Sequence, residues 1–483
     1  MTAALRRSFD SLAVPNYRRY FAGQVVSLSG NWMQTVAEIW LVLSLTGSGV
    51  AVGLTTALQF LPILLFGAWG GLLADRFPKR RLLIVTQAAM AVPALVLFVF
   101  TASGSVGLAA VYALVFARGT VNSVDNPTRQ SFVIEMVGSD RVVNAVSLNS
   151  VIVHCARIIG PAFAGLLIAT VGVEPCFAIN AATFAVMIAA LWRMDPGTLD
   201  AAPEVPRERG AVRSALRHVA STPRLAIPLA LMAVVGTLGY NFQTVLPLLA
   251  RFSFGGGAAV YAALVSAMAA GAVGGALANG ARGRTSASLI STGALCFGLL
   301  SLLAAAAPGL ALELPLLALL GAATVTFAAS INSYLQLEVR PEMRGRVMAL
   351  YSIVFLGSTS IGGPLAGWLS EAYDPRVALA LAGISGLAAA WAAATVLGRV
   401  ERQPDHPPRN LYPRITGSSP ALEARRLACR PMRADLDQPE RGGRHGGSYA
   451  GAPDRGRGNA DRGAGGGDRR TDLRRPAAPR SVR

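Results

Sequence analysis

A few ionisable side chains stand inside long stretches that otherwise carry no charge: Glu38, Arg118, His154 and Arg157, with Asp125 nearer a charged segment. In hydrocarbon such groups are costly, and they mark proton or ion pathways and counter-ions. Their depths follow from the helical rise. Counted from Arg19, Glu38 lies about 28 Å along its run, and counted from Arg141, Arg157 lies about 24 Å along its own. Counted back from Arg129, Arg118 lies about 16 Å in and Asp125 about 6 Å. Glu38 and Arg157 are the best-matched opposite charges, so the spacing predicts a Glu38–Arg157 pair whose carboxylate takes and loses a proton. Burial raises a carboxylate pKa and a neighbouring cation lowers it, which brings titration into a useful range. A static ion pair is the alternative. His154, one turn before Arg157, is either a proton relay or a polar helix contact.

Neutral polar residues accompany these charges: Asn31, Gln34, Asn122, Tyr240, Asn241, Gln243, Asn332 and Gln336. Set among apolar neighbours, they suit a cavity for an amphipathic solute held by a few polar contacts.

The elements that carry them are membrane spans. Hydrophobic residues make up 53% of the chain and charged residues 14%, where a soluble domain has about a quarter charged. Runs long enough to cross about 30 Å of hydrocarbon begin near Tyr20, Val50, Leu82, Val106, Val142 and Val173, and again near Leu225, Gly257, Ser286, Ala311, Val347 and Val377. The expected fold is all-α, with twelve transmembrane helices in two six-helix bundles. The basic segment 1–19 carries no cleavage-type sequence, so the first span is itself the insertion signal. With the N-terminus inside, the inner loops hold most of the arginines and the outer loops only Arg251 and Arg376, which puts both termini in the cytoplasm of a cell-membrane protein. The segments are a cytoplasmic N-terminus (1–19), a first bundle (20–193), a cytoplasmic loop (194–223), a second bundle (224–398) and a tail (399–483). The net charge of +18 does not signal nucleic acid: the tail alone has 19 Arg against 10 acidic residues. Its Arg/Gly/Pro-rich composition predicts disorder.

The two bundles are copies. Glu135, Arg141, Gly160 and Pro161 recur as Glu338, Arg344, Gly363 and Pro364, each displaced by 203 positions. Duplicated bundles place a substrate site at the repeat interface near the bilayer midplane. Nothing points to an enzyme, a metal or a cofactor: the four cysteines lack ligand spacing, and there is no phosphate-cradling glycine loop.

Between the second and third runs, GGLLADRFPKRR carries Gly71, Asp75, Arg76, Lys79, Arg80 and Arg81. It resembles the loop 2–3 signature of the major facilitator superfamily, G-x-L-a-D-r-x-G-r-[kr]-[kr], with Pro78 in place of a glycine. The stretches ARGTVNSVDNPTRQSF and EMRGRVMALYSIVFLGSTSIGGPLAG resemble its enterobactin-exporter-like and macrolide-efflux-like branch. Gly160, Pro161 and Gly165 fit the exporter-associated element of helix five, with Ala156 and Ala164 replacing two glycines. The resemblance implies the facilitator fold and a gate in which Asp75 faces the N-terminus of the eleventh span, near Arg346, while the loop arginines pair with Asp125 or with headgroups. Arg118 resembles the helix-four arginine of proton-coupled members. The implied function is proton-coupled efflux of small amphipathic molecules by a monomer in the lipid bilayer, with protons and a small-molecule substrate as partners and no nucleic acid. Import or uniport of a metabolite, and a receptor or lipid-handling role on the same fold, are the alternatives.

Overall fold

The computed structural model describes residues 10–199, 211–282 and 286–399. The tail expected to be disordered, from residue 400 on, residues 1–9 and residues 200–210 of the central loop lie outside them. The described residues form α1 (Pro15–Thr46), α2 (Gly49–Arg76), α3 (Lys79–Ala102), α4 (108–137), α5 (Asp140–Thr170), α6 (Glu174–Trp192) and a short α7 (Ala211–Ala220). They continue with α8 (Pro223–Ser253), α9 (Ala258–Arg282), α10 (Ala287–Ala305), α11 (Leu310–Glu338), α12 (Pro341–Ala372) and α13 (Pro375–Leu397). Ten of these helices are long and apolar enough to cross a membrane. The other two of span length, α1 and α4, carry the buried polar side chains that lower their hydropathy. No strand occurs among the described residues.

Local chemistry sets the boundaries. Pro15 opens α1, where its missing N–H costs nothing, and Gly47 closes it in the left-handed region (φ 62°), its N–H donating to the Leu43 carbonyl. The α2–α3 turn needs no glycine. Phe77 is extended, Pro78 (φ −56°) caps α3, and helix resumes at Lys79. Between α4 and α5 the chain reverses at Gly138, whose φ of 70° and ψ of 177° are open essentially to glycine alone.

Within each half, small residues let backbones touch. A Cβ on Gly70 would strike the Ser123 carbonyl of α4, and one on Gly275 would strike the Ala322 carbonyl of α11. α2–α4 contact in the first half thus has its counterpart in α9–α11 of the second.

The halves meet along a seam at the end carrying the α1–α2 loop. There α2 and α12 cross glycine on glycine, Gly49 against the Gly367 carbonyl and Gly53 against that of Gly363. Gly165 of α5 abuts Ala262 of α9. Thr244 donates to Thr56 at 3.1 Å, and the Trp40 and Tyr261 rings stack with centroids 6.2 Å apart. The Glu371 carboxylate of α12 accepts from the Ser48 hydroxyl at 2.6 Å and from the Val50 N–H at 2.9 Å, capping α2 across the interface.

Candidate functional site: the cavity between the halves

On the α2–α3 side of the seam lies a cavity of about 490 Å3, within the range of small-molecule sites. Both halves line it. The first half gives Asn31, Trp32, Arg118, Asn122 and Arg157; the second gives Tyr240, Gln243, Tyr261 and Phe355 among others. A break in α8 at Gly239–Asn241 helps to build it. Tyr240 sits in that break, its hydroxyl donating to the Thr324 carbonyl of α11 at 2.8 Å, and its ring meets Phe297 and Phe355 edge-on.

Behind this wall runs a buried polar chain. The Asn180 amide donates to Gln34 Oε1, the Gln34 amide to Glu38 Oε1 at 2.7 Å, and Arg118 to Glu38 Oε2 at 2.5 Å. Glu38 is 1% exposed and Arg118 7%. Paired this way, the carboxylate keeps its charge away from hydrocarbon and neutralises Arg118 at the cavity surface.

The expected Glu38–Arg157 pair is absent. Arg157 instead lies over the Trp32 ring, 4.9 Å from its centroid, and is exposed toward the cavity. The depth count failed at its marker. Arg129 is no surface residue: it is 8% exposed and pairs with Asp125 inside the bundle. Counted from the reversal at Gly138, Arg118 lies about 30 Å along α4, level with Glu38.

Asp125 also departs from expectation. It meets none of the loop arginines among the contacts described; Thr86 donates to it at 2.6 Å, Gln87 at 2.9 Å, and Arg129 pairs with it. Lys79 pairs with Glu135 at 2.5 Å, and Arg80 donates to the Leu191 and Trp192 carbonyls at 2.7 and 2.9 Å. These two therefore tie α3 to α4 and α6 within one half, while Asp75, Arg76 and Arg81 are exposed.

Gly160 packs against Ser29 and Trp32 of α1, bringing α5 close enough for Arg157 to reach that ring. Of the polar candidates, Asn31, Asn122, Tyr240 and Gln243 line the cavity. Gln34 lies behind it. Asn241 donates to the Thr237 carbonyl at 2.7 Å, and Gln336 donates to Asn332 one turn away at 2.6 Å; neither of these two pairs faces the cavity. The His154 side chain lies outside the described set. Trp32, Phe60 and Tyr261 line the cavity unpredicted, because apolar and aromatic residues give no sign in sequence of which helix face they occupy; Gln59, a polar residue of α2 outside the expected set, lines it too.

Residues 7–421 match the family described as transmembrane secretion effector. The staphyloferrin A transporter of Staphylococcus aureus is 28% identical over 170 residues, 35% of this chain and 43% of that protein. The enterobactin exporter EntS of Salmonella choleraesuis is 24% identical over 409 residues, 82% of this chain and 95% of that protein. Against the staphyloferrin A transporter the match thus spans less than half of the relative's length. Among solved structures, a bacterial homolog of the human lysosomal transporter Spinster superposes with a TM-score of 0.62 at 16% identity, over 79% of this chain and 95% of that one, a likeness of fold. The chain is a multi-pass membrane transporter of the major facilitator type and belongs to the transmembrane secretion effector family.

Proposed function

We propose that this transporter exports small amphipathic molecules in exchange for protons, by alternating access, acting as a single chain in the cytoplasmic membrane with both termini in the cytoplasm. Similarity to siderophore transporters over 82% of the chain in one case and 35% in another supports outward carriage of such solutes. The arginine-rich loops support the orientation, under which the sealed seam faces outward and cargo enters from the cytoplasm.

The observation that carries the coupling is the buried Glu38–Arg118 contact of 2.5 Å in the cavity wall. Ionised Glu38 holds Arg118; a proton on Glu38 cancels that attraction and changes the charge the wall presents. The carrier loads cargo with the pair intact, releases it outside, takes a proton there, returns protonated and gives the proton up to the cytoplasm before loading again. His154 and Arg157 need not touch this proton.

The test is efflux of enterobactin from proteoliposomes with and without an imposed pH gradient. The wild type should accelerate under the gradient, whereas Glu38→Gln should move cargo at one rate in both conditions. A Glu38→Gln variant that still responds to the gradient would refute the coupling.

A further inference from the structure

Two cations line the cavity and no carboxylate does, among the described residues. Arg118 is already neutralised by Glu38 at 2.5 Å. Arg157 is not: its guanidinium has no hydrogen-bond or ion-pair partner among the described residues, and its Cζ lies over the Trp32 ring, 4.9 Å from the centroid. Stacking uses the face of a guanidinium and leaves its edge of N–H donors free. An uncompensated cation inside a membrane protein is costly, and here it is exposed to the space a solute would fill. Gly160 adds to the construction. Its ideal Cβ would lie 2.6 Å from Trp32 Cβ, so any larger residue would displace the ring on which Arg157 rests.

The opposite wall is apolar and aromatic, with Tyr240 and Phe355 in edge-on contact. Within it Gln243 carries an amide oxygen with no hydrogen-bond partner, an acceptor for a solute O–H or N–H.

We propose that Arg157 is the receptor for an anionic group of the cargo, and that the transporter selects organic anions, a carboxylate or similar planar oxyanion on an aromatic body. This rests on the reading of the cavity as the cargo site. Arg157 binds the oxyanion through its free edge, in the two-pronged geometry that guanidinium offers to carboxylates. The ring of the solute lies toward Tyr240 and Phe355. A cationic amphiphile of the same shape meets Arg157 as a like charge and finds no carboxylate with which to pair.

The test uses three probes of one ring system: 1-naphthylacetate, the neutral 1-naphthylacetamide and 1-naphthylmethylammonium. Their affinities for the purified full chain in nanodiscs are measured by calorimetry without any gradient. The wild type should bind the acid at least about tenfold more tightly than the amide, the span of one charge-assisted contact, with the ammonium weakest. Arg157→Gln should bring acid and amide to equal affinity, and Arg157→Lys should retain part of the preference. Equal affinities in the wild type, binding of none of the three, or an Arg157→Gln variant that keeps its anion preference would each overturn the proposal. Should Arg157→Gln not fold, the wild-type ranking and Arg157→Lys still decide. Binding is read here without any gradient and coupling is read as the response of efflux to one, so failure of proton coupling and failure of anion selection are separate results.

Discussion

Gly53 stands where α2 crosses α12, and the lack of a side chain is what lets the two backbones meet. A Cβ built there falls 2.8 Å from both the Gly363 carbonyl carbon and the Pro364 Cα. Those are backbone atoms, which cannot rotate away as a side chain could. On the facing helix the geometry is milder, since a Cβ on Gly363 comes 3.0 Å from the Gly53 carbonyl oxygen and 3.5 Å from Thr56 Cβ. Gly53→Ala must therefore push the helices apart, whereas Gly363→Ala asks for a shift of a few tenths of an ångström. Overpacking of this kind costs about 1–3 kcal/mol. The cost falls on the conformation with the seam closed and spares one in which the helices have separated. The better helix propensity of alanine acts in both conformations and cancels. Gly53→Ala should consequently raise the seam-open population by about 5- to 150-fold.

Spin labels at Ser105 in the α3–α4 loop and Pro308 in the α10–α11 loop, both exposed, report this separation by pulsed electron–electron distance measurement. The wild type should show the shorter distance, Gly53→Ala a dominant longer one, and Gly363→Ala a minor share of it. Gly274 of α9, whose Cβ would meet nothing within 4 Å, is the control, and Gly274→Ala should keep the wild-type distribution. A Gly53→Ala variant indistinguishable from wild type, or a larger response to Gly363→Ala, would refute the argument that backbone contact holds this end shut.

Glu371 closes the same end by capping α2 with its carboxylate. Glu371→Gln keeps the shape and removes the charge, worth about 0.3–1 kcal/mol at an exposed helix N-terminus, so the longer distance should grow about two- to fivefold; a shorter distance would contradict the cap. Inside the first half, Asp125→Asn leaves the buried Arg129 without its anion, and thermal unfolding should report a loss of about 3–5 kcal/mol. The double change Asp125→Leu with Arg129→Met should recover much of it, and a double variant no more stable than Asp125→Asn would show that the pair is not what holds this region.

The pattern of spans was legible because hydrocarbon thickness imposes it on every run, and the 203-residue displacement showed that one frame is used twice. What it could not show is how each copy is used. Gly160 packs on α1 of its own half, while its counterpart Gly363 packs on α2 of the other. The Glu38–Arg118 contact was within reach of the same depth count that missed it, had α4 been measured from Gly138. Arginine in a charged stretch reads as a surface marker, yet Arg129 is held inside by Asp125 and Gln24. Asn332 and Gln336 show the other difficulty: their polarity suggested a cavity face, and they hydrogen-bond to each other away from it. Choosing among helix faces requires the rotation of each helix about its axis, which hydropathy does not carry in a helix surrounded by lipid and protein alike.

The duplicated frame has come to hold unequal chemistry. Among the described residues every charge lining the cavity, and Glu38 behind it, belongs to the first half; the second half contributes aromatic, aliphatic and uncharged polar side chains. This constrains how protons and cargo can be linked. Rocking of one half against the other remakes contacts at the seam, but Glu38 on α1 and Arg118 on α4 ride on the same half and stay together. The pair cannot be pulled apart by the motion, as a salt bridge across the interface would be. Under the proposed coupling, protonation acts instead by changing the charge the first half presents to whatever lies in the cavity, and so the energy of bringing that wall against the aromatic one. In the proposed carrier the proton sets which wall charge faces the solute, while the glycine seam and the Glu371 cap set how far the end carrying the α1–α2 loop stays shut.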